Sequence, residues 1–419
     1  MRIVYLHQYF ITPKMSGIVR SYQMARRLVA RGHEVHMVTT DQEASPGSPA
    51  WRETVEDGIR VHWASIPYDN TMSYRARIRA FFSFAWKAAR KAAQLRGDVI
   101  FATSTPLTIA LPAVYASHRC KRPMVFEVRD LWPAVPIAIG AISNPALKAA
   151  ARWLERFAYR NSARVVALAP GMRDEVVATG YPSDRVSVIP NGCDFDFFSD
   201  IASGRELRAR HLWLGDRPLL VYTGTFTLLT GTSYLAKLAA AISKIDPEVR
   251  IVGVGAGRDF ENTRSMAAEM GVLDRTLFLQ GKRPKNEAAA WIQAADLTIA
   301  LFTGPQIVWR DAVQNKFFDS LAAGKPIVNN FSGWQSQVAS EAGAGMIVSA
   351  TDFDAAARDI VRALRDRAWL ESASDAARAL ARARFDRDKL GAELADVLES
   401  VHAEASDGAG RHSVKLERG

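Results

Sequence analysis

Asp311 and Asp319 stand with seven residues between them, inside WRDAVQNKFFDSLAAGKPIV. The stretch reads as loop, short helix, stop and strand. Asn315 suits an N-cap, KFFDSLAA supplies the helix, Gly324 suits its C′ position and KPIVN continues as a strand. Asp319 then falls in the first turns of a helix and Asp311 in the loop ahead of it. Backbone N–H groups at a helix start hold phosphate, and Arg310 and Lys316 add positive charge there. Carboxylates accept hydrogen bonds from sugar hydroxyls. A phosphate site beside hydroxyl acceptors describes a nucleotide sugar. Two solvated acids around a helix would give the same spacing, and the pair alone does not separate these readings.

The elements that must carry such a site repeat along the chain. At 419 residues the chain exceeds one ordinary core and fits two domains of about 200 residues each. Apolar runs at 2–7, 34–40, 98–102, 123–127, 164–168 and 186–189 alternate with helical patterns such as SYQMARRLVARG and NPALKAAARWLERFAYR. A second series, at 218–223, 249–253, 276–279, 297–301 and 326–329, alternates in the same way. Parallel strands with crossover helices follow, hence an α/β protein of two Rossmann-like domains. The expected division is an N-terminal domain over 1–195, a linker over 196–216, and a C-terminal domain over 217–385. A terminal helix follows over 386–403, then a mobile polar tail over 404–419. Ligands in such sheets bind at the carboxyl ends of the strands, so two facing domains would share a cleft.

Charge is unevenly placed. Of the net +10, residues 1–200 hold 26 Lys and Arg against 17 Asp and Glu, whereas the remainder holds 28 against 27. The excess favours an anionic partner. Its densest part, 72–96, carries Arg75, Arg77, Arg79, Lys87, Arg90, Lys91 and Arg96, no acid, and Phe81, Phe82, Phe84 and Trp86 between them. An interfacial helix on an anionic membrane needs this mixture, although a core helix with a basic outer face would share it. No nucleic-acid motif accompanies the charge, so nucleic acid is not expected as a partner. Cys120 and Cys193 are the only cysteines, too few for a disulfide framework, and suit a reducing cytoplasm. The opening MRIVYLHQYF enters a strand directly, without a signal peptide's cleavage region. Residues 99–117 are uncharged but contain TSTP and two prolines, and read as strand, loop and helix rather than a membrane span. A cytoplasmic protein, peripheral on the inner face of the membrane, is expected.

Several segments, in order, resemble one family. QYFITPKMSGIVRSYQMARRLVARGHEVHMVTT, FATSTP, FEVRDLWPAVPIAIG, VIPNGCDFDFF, the acid pair ahead of GKP, and ARFDRDKLGAELADVL are similar to the retaining family-4 (group 1) glycosyltransferases over roughly 1–403. VRDLWP narrows the resemblance to the WbuB-like branch that builds bacterial surface polysaccharides. The resemblance implies a GT-B fold whose C-terminal domain holds the donor and whose N-terminal domain holds the acceptor, with a C-terminal helix crossing back. It matches Asp319 to the acid on the nucleotide's ribose and Asp311 to the acid near the transferred sugar. Lys316 would reach the diphosphate, while Gly17 and Gly224 would let backbone approach the donor. Two departures stand out. The family usually has glutamate at both acids, and many relatives place an arginine after Gly224 and a lysine five residues later, where this chain has Thr225 and Thr230. Lys316, Arg310, Arg20 and Arg129 are the candidates to replace that pair. Arg129 and Asp130 stand where relatives have a His-Asp pair facing the donor sugar, or else form a structural ion pair. Glu127 would lie within a strand and hold a neighbouring loop. Ser104 and Thr105 would touch the acceptor or cap a helix.

The expected reaction is retaining transfer of a hexosyl group from a UDP-sugar to a polyprenyl-diphosphate-linked saccharide, in O-antigen, capsule or exopolysaccharide synthesis. An N-acetylated amino sugar is expected from the branch. No cofactor and no metal are expected: the Asp-x-Asp at 194–196 lies in the interdomain link, and GVGAG at 253–257 lacks full dinucleotide-loop spacing. A non-hydrolysing UDP-sugar epimerase and a non-catalytic membrane-associated partner remain the alternatives.

Overall fold

The computed structural model describes residues 1–13, 15, 19–42, 44–45, 47–67, 72–200 and 202–416, with only the backbone of Tyr74 and of 408–416. Gly17 lies outside the described residues. The chain forms two compact units, 1–190 with 388–419, and 191–387. Each is a predominantly parallel sheet whose strands are joined by crossover helices, so the chain is a two-domain α/β protein.

In the first unit the strands are β1 (Arg2–Leu6), β2 (Glu34–Asp41), β3 (Trp51–Glu56), β4 (Ile59–Ser65), β5 (Val99–Thr103), β6 (Met124–Val128), β7 (Arg164–Ala167) and β8 (Val186–Val188). Their spatial order is β3-β4-β2-β1-β5-β6-β7-β8, parallel except for the antiparallel β3–β4 pair. The helices between them are α1 (Arg20–Ala30), α2 (Tyr74–Leu95), α3 (Ala110–Cys120), α4 (Ala134–Ala138), α5 (Pro145–Arg160) and α6 (Pro170–Ala178). The β3–β4 hairpin was not expected. Asp57 and Gly58 turn it with φ of 48° and 83°, the positive values an Asp-Gly hairpin turn requires. Arg52, Glu53 and Glu56 on an edge strand hid its alternation while protecting the edge from further pairing.

The second unit follows the same logic. Its strands are β9 (Leu219–Thr223), β10 (Arg250–Val254), β11 (Leu277–Leu279), β12 (Leu297–Ala300), β13 (Ile327–Asn329) and β14 (Gly345–Ile347), ordered β11-β10-β9-β12-β13-β14. Its helices are α7 (Ala202–Arg210), α8 (Tyr234–Ile245), α9 (Phe260–Glu269), α10 (Lys285–Ala294), α11 (Gln306–Trp309), α12 (Asn315–Ala322), α13 (Trp334–Glu341), α14 (Phe353–Arg365) and α15 (Arg367–Arg384). The segment 196–216, expected as a linker, belongs to this unit. Leu207 on α7 and the following Leu214 are buried with Leu219, Trp291 and Ala294.

The last helix, α16 (Arg387–Leu416), returns to the first unit. Leu390, Leu394, Leu398 and Val401 are buried there with Leu28, Val35 and Val166. Arg27 meets Asp388 at 2.6 Å, and Arg31 meets Asp396 and Glu399 at 2.6 and 2.7 Å. The helix passes the expected start of a mobile tail at 404. Glu404 itself accepts from Arg164 at 2.8 Å.

Helix α2 has two apolar stripes. Ala80, Phe84, Ala88 and Ala92 are buried, whereas Ile78, Phe82 and Trp86, spaced by four, are exposed at 36%, 56% and 63%. Not all of its cations face outward. Lys87 donates to the Ser65 carbonyl at 3.2 Å, and Lys91 pairs with Glu53 at 3.1 Å, so both serve the sheet edge rather than a membrane. Among the described residues no helix is long and apolar enough to cross a membrane.

A buried ion pair fixes the carboxyl end of the central strands. Glu127 on β6 is inaccessible, and burial alone would raise its pKa. Arg20 outweighs that, by charge and by hydrogen bonds at 2.7 and 3.1 Å, and with Thr103 holds the carboxyl below its ordinary range. The other Arg20 donors reach the carbonyls of Ile189 and Pro190 at 2.8 and 2.6 Å. Four of the five Arg20 N–H donors are therefore spent on protein oxygens, and the buried Arg20 is not a free diphosphate cation. A depressed carboxyl stabilises the fold above its unfolded pKa and loses that contribution as pH falls through the folded value, so the clamp weakens in acid. Arg20→Met leaves a buried carboxylate unpaired. It is expected to lower unfolding free energy by about 3–5 kcal/mol at neutral pH, read from urea denaturation.

Candidate functional site

In the second unit the loop after β9, the loop after β12 and the start of α12 meet at the carboxyl end of the sheet. Helix α12 begins one residue earlier than expected: Gln314 occupies the N-cap, and no side chain caps the helix. Asn315 instead accepts from the Asn191 amide at 3.1 Å. The first-turn N–H groups thus keep donors that no side chain meets, as an anion site requires. Gly324 ends the helix with φ 65°, the C′ conformation expected of it.

Lys316 is the most unusual group here. Its Nζ is buried without a hydrogen-bond partner and lies 3.8 Å from the centroid of the Tyr222 ring. Burial pushes its pKa down to about 7. The amine also abuts Gly224: a Cβ there would come within 3.2 Å of Nζ, and the glycine has φ 137°, closed to most side chains. Two of the expected donor residues are therefore in contact. A cation held without a counter-charge against exposed backbone is an arrangement that an incoming anion would complete.

Asp319 lies on the same helix, one turn on, and among the described residues nothing donates to its carboxylate. Burial raises its pKa, with Asp194 adding to the shift and Lys285 and Arg387 opposing it. Lys285 and Arg387 were not singled out from the sequence, and Asp194 was considered only within the Asp-x-Asp at 194–196. Lys285, in the first turn of α10, is lowered by burial and lies 3.9 Å from the centroid of the Phe197 ring. Arg387 pairs with buried Asp194 at 2.8 Å and donates to the Gly192 carbonyl. Asp194 is thus spent on an ion pair. No motif marks Lys285, and although Arg387 lies within ARFDRDKL, nothing in that segment points to Asp319, because the proximity arises from packing of separate segments.

Asp311 is buried, and Arg310 donates to it from Nε at 2.6 Å. The two expected site residues therefore engage each other, and Arg310 is not a free diphosphate cation. Thr225 is exposed, and its carbonyl accepts from Tyr222 at 2.8 Å. Thr230 closes the loop, bonding the Thr225 and Thr227 carbonyls at 3.1 and 2.9 Å. The glycines of GVGAG make room for this loop: a Cβ at Gly255 would meet the Gly224 oxygen at 1.8 Å.

In the first unit, Ser104, Thr105, Arg129 and Asp130 come together after β5 and β6. Arg129 and Asp130 do not pair with each other. Arg129 Nη1 lies 3.1 Å from His7 Nε2, and its backbone N–H donates to Ser104 at 2.9 Å. Burial, then the Arg129 charge, holds the His7 pKa well below its usual value, so neutral His7 accepts from Arg129. Thr105 donates to exposed Asp130 at 3.0 Å. Ser104 is buried and accepts from the Arg129 backbone, and no hydroxyl of this pair caps a helix. Glu127 lies inside its strand, as expected, but the residue it holds is Arg20 of helix α1 rather than a loop residue.

Known proteins match both halves of the chain. The family model described as glycosyl transferase 4-like domain matches residues 17–192, and that described as glycosyl transferases group 1 matches 203–380. A relative from Mycolicibacterium smegmatis, a GDP-mannose-dependent alpha-(1-6)-phosphatidylinositol monomannoside mannosyltransferase, is 24% identical over 60% of this chain and 71% of its own. The structure resembles sucrose-phosphate synthase from Thermosynechococcus elongatus, with a TM-score of 0.76 at 16% identity, covering 96% of this chain and 99% of that one. It also resembles Anabaena Alr3699/HepE in complex with UDP-glucose, with a TM-score of 0.70 at 17% identity, covering 96% and 100%. With both halves matched in order and the fold shared along the chain, the protein belongs to the group 1 glycosyltransferases of GT-B fold.

Proposed function

We propose that this glycosyltransferase moves a hexosyl residue from a UDP-sugar to a polyprenyl-diphosphate-linked saccharide, with retention at the anomeric carbon and without a metal. The observation that carries the donor half is the unpaired Lys316 ammonium lodged against Gly224, one turn before the unpaired Asp319 carboxylate. Lys316 and the α12 N–H groups would bind the diphosphate, and Asp319 would accept from the ribose hydroxyls. Asp311, steadied by Arg310, would orient hydroxyls of the transferred sugar. The bond from the anomeric carbon to the diphosphate oxygen breaks as the acceptor oxygen bonds on the same face, and the acceptor proton passes to the departing phosphate. Negative charge grows on that phosphate, and Lys316 would stabilise it. The VRDLWP resemblance supports an N-acetylated amino sugar and a role in O-antigen, capsule or exopolysaccharide assembly. Among the relatives, one is described as GDP-mannose-dependent and another holds UDP-glucose, so UDP is tested directly against GDP. The exposed apolar stripe and outward arginines of α2 support attachment to the anionic inner face of the cell membrane.

Asp319→Asn removes a carboxylate whose raised pKa marks its charge as unfavourable in the fold. Its melting temperature should be unchanged or higher, while kcat/KM for sugar transfer falls roughly 10–100-fold. Wild-type transfer rates from the purified variant would refute the assignment.

Lys316 yields a pH dependence. Its free amine titrates at about 7, and a bound diphosphate would raise that value, so binding above pH 7 takes up a proton. Affinity for UDP, measured by calorimetry, should fall as pH rises from 7, by up to about tenfold per unit. Lys316→Met should bind weakly and without that slope. A wild-type profile flat across this range would count against the role.

Vesicle flotation tests the membrane half. Arg75→Gln with Arg79→Gln should weaken binding to phosphatidylglycerol vesicles roughly 30-fold. Equal binding of the unmodified protein to phosphatidylcholine and phosphatidylglycerol vesicles would rule out an electrostatic role.

A further inference from the structure

At the opposite end of the first unit's sheet from the loops just described, α2 and α3 finish beside one another. Between them lies a cavity of about 840 Å³ lined by Arg90, Arg96, Arg119 and Arg122, with Tyr115 and Cys120. All four arginines are exposed, and Tyr115 is 50% exposed. Arg90 reaches the cavity from α2, stacked 4.3 Å from the centroid of the exposed Trp86 ring. Arg96 ends α2 in the left-handed conformation, with φ 48°, which turns the chain sharply beside α3. No acid lines the cavity. Asp98 approaches Arg122 only at 3.9 Å, and Arg96 and Arg119 have no ion-pair partner among the described residues.

The charge balance favours an anion even after the helix ends are counted. Two helix C-termini contribute roughly one negative charge between them. With Asp98, that offsets about two of the four guanidinium groups and leaves a positive excess. Like charges gathered on one wall repel, so the cluster gains most from a ligand that bridges them. A phosphate group fits this chemistry, because guanidinium forks bind its oxygens in pairs and the Tyr115 hydroxyl adds a donor. The source of the phosphate follows from the neighbouring surface. Trp86, Phe82 and Ile78 continue from Arg90 along α2 as an exposed apolar stripe, the companion that a lipid headgroup site needs and a soluble anion does not.

We propose that the cavity between the C-terminal ends of α2 and α3 is a headgroup site for an anionic membrane phospholipid. It would bind phosphate with Arg96, Arg119 and Arg122 while the α2 stripe enters the lipid boundary. The site shares the membrane-facing part of the functional proposal but none of its sugar chemistry, so loss of transfer activity by itself leaves it standing.

Cys120 provides a local reporter, since it lines the cavity while Cys193 is buried, with burial pushing the Cys193 thiol well up. The full chain is treated with a maleimide in the presence of phosphatidylcholine vesicles, phosphatidylcholine–phosphatidic acid vesicles, or inorganic phosphate. Phosphatidic acid vesicles are expected to slow Cys120 labelling about tenfold, and phosphatidylcholine is expected to leave it unchanged. Arg96→Asn, which tolerates the left-handed backbone, combined with Arg119→Gln should weaken phosphatidic acid vesicle binding roughly 30-fold. Transfer to a detergent-dispersed acceptor and the melting temperature should match the unmodified protein. Unprotected Cys120 on bound vesicles, or undiminished binding by the double variant, would overturn the site. Equal protection by millimolar inorganic phosphate would overturn the lipid as its ligand.

Discussion

A guanidinium deep in a protein needs partners for its donors, and Arg20 finds them for four of its five N–H groups by drawing three parts of the first unit together. It binds Glu127 at the carboxyl end of β6 and the Ile189 and Pro190 carbonyls where the chain leaves the unit. Thr103, on the adjacent β5, donates to the same Glu127. The short segments carrying Ser104, Thr105, Arg129 and Asp130 begin one or two residues beyond these anchor points. Their mutual hydrogen bonds are possible because the strand ends cannot drift. The rim of the first unit is therefore rigid for an electrostatic reason.

The second unit treats charge in the opposite way at its sheet end. Arg387 and Asp194 compensate each other and stay buried. Lys316 and Asp319 do not: one amine lies over an aromatic ring without a partner, and one carboxylate accepts no hydrogen bond among the described residues. Burial lowers the first pKa and raises the second, so both ionised forms are held against the fold's own preference. Groups of this kind are stabilised by binding something polar, not by folding. Contrast between satisfied and unsatisfied charges, rather than charge itself, sets Lys316 and Asp319 apart from the paired Arg387 and Asp194.

Much of the fold was legible because a parallel strand buried on both faces leaves a continuous apolar run, and these runs recur at crossover spacing. Elements that break that condition escaped. Charged residues interrupt the apolar pattern of edge strand β3, and β14 is three residues long at another edge. The site divided similarly. Lys316 and Asp319 share a short helix whose start and stop have local signals, so their neighbourhood could be read. Gly224 could be placed after a strand, but its contact with Lys316 depends on two loops meeting. Lys285 and Arg387 reach Asp319 from remote segments and left no trace in spacing. Arg20 shows the converse: as a cation in a site-like segment it resembled a binding group, and only its burial against Glu127 reveals a structural role.

The return of α16 makes the second unit a continuous insert within a discontinuous one. Leu390, Leu394, Leu398 and Val401 complete the apolar surface around Leu28 and Val35, yet they emerge from the ribosome after all of 191–387. During synthesis the unit begun first is the one finished last. Its eight strands are made early but lack their covering helix while the later unit is synthesised, and the polar edge strand β3 guards one side of the sheet through that interval.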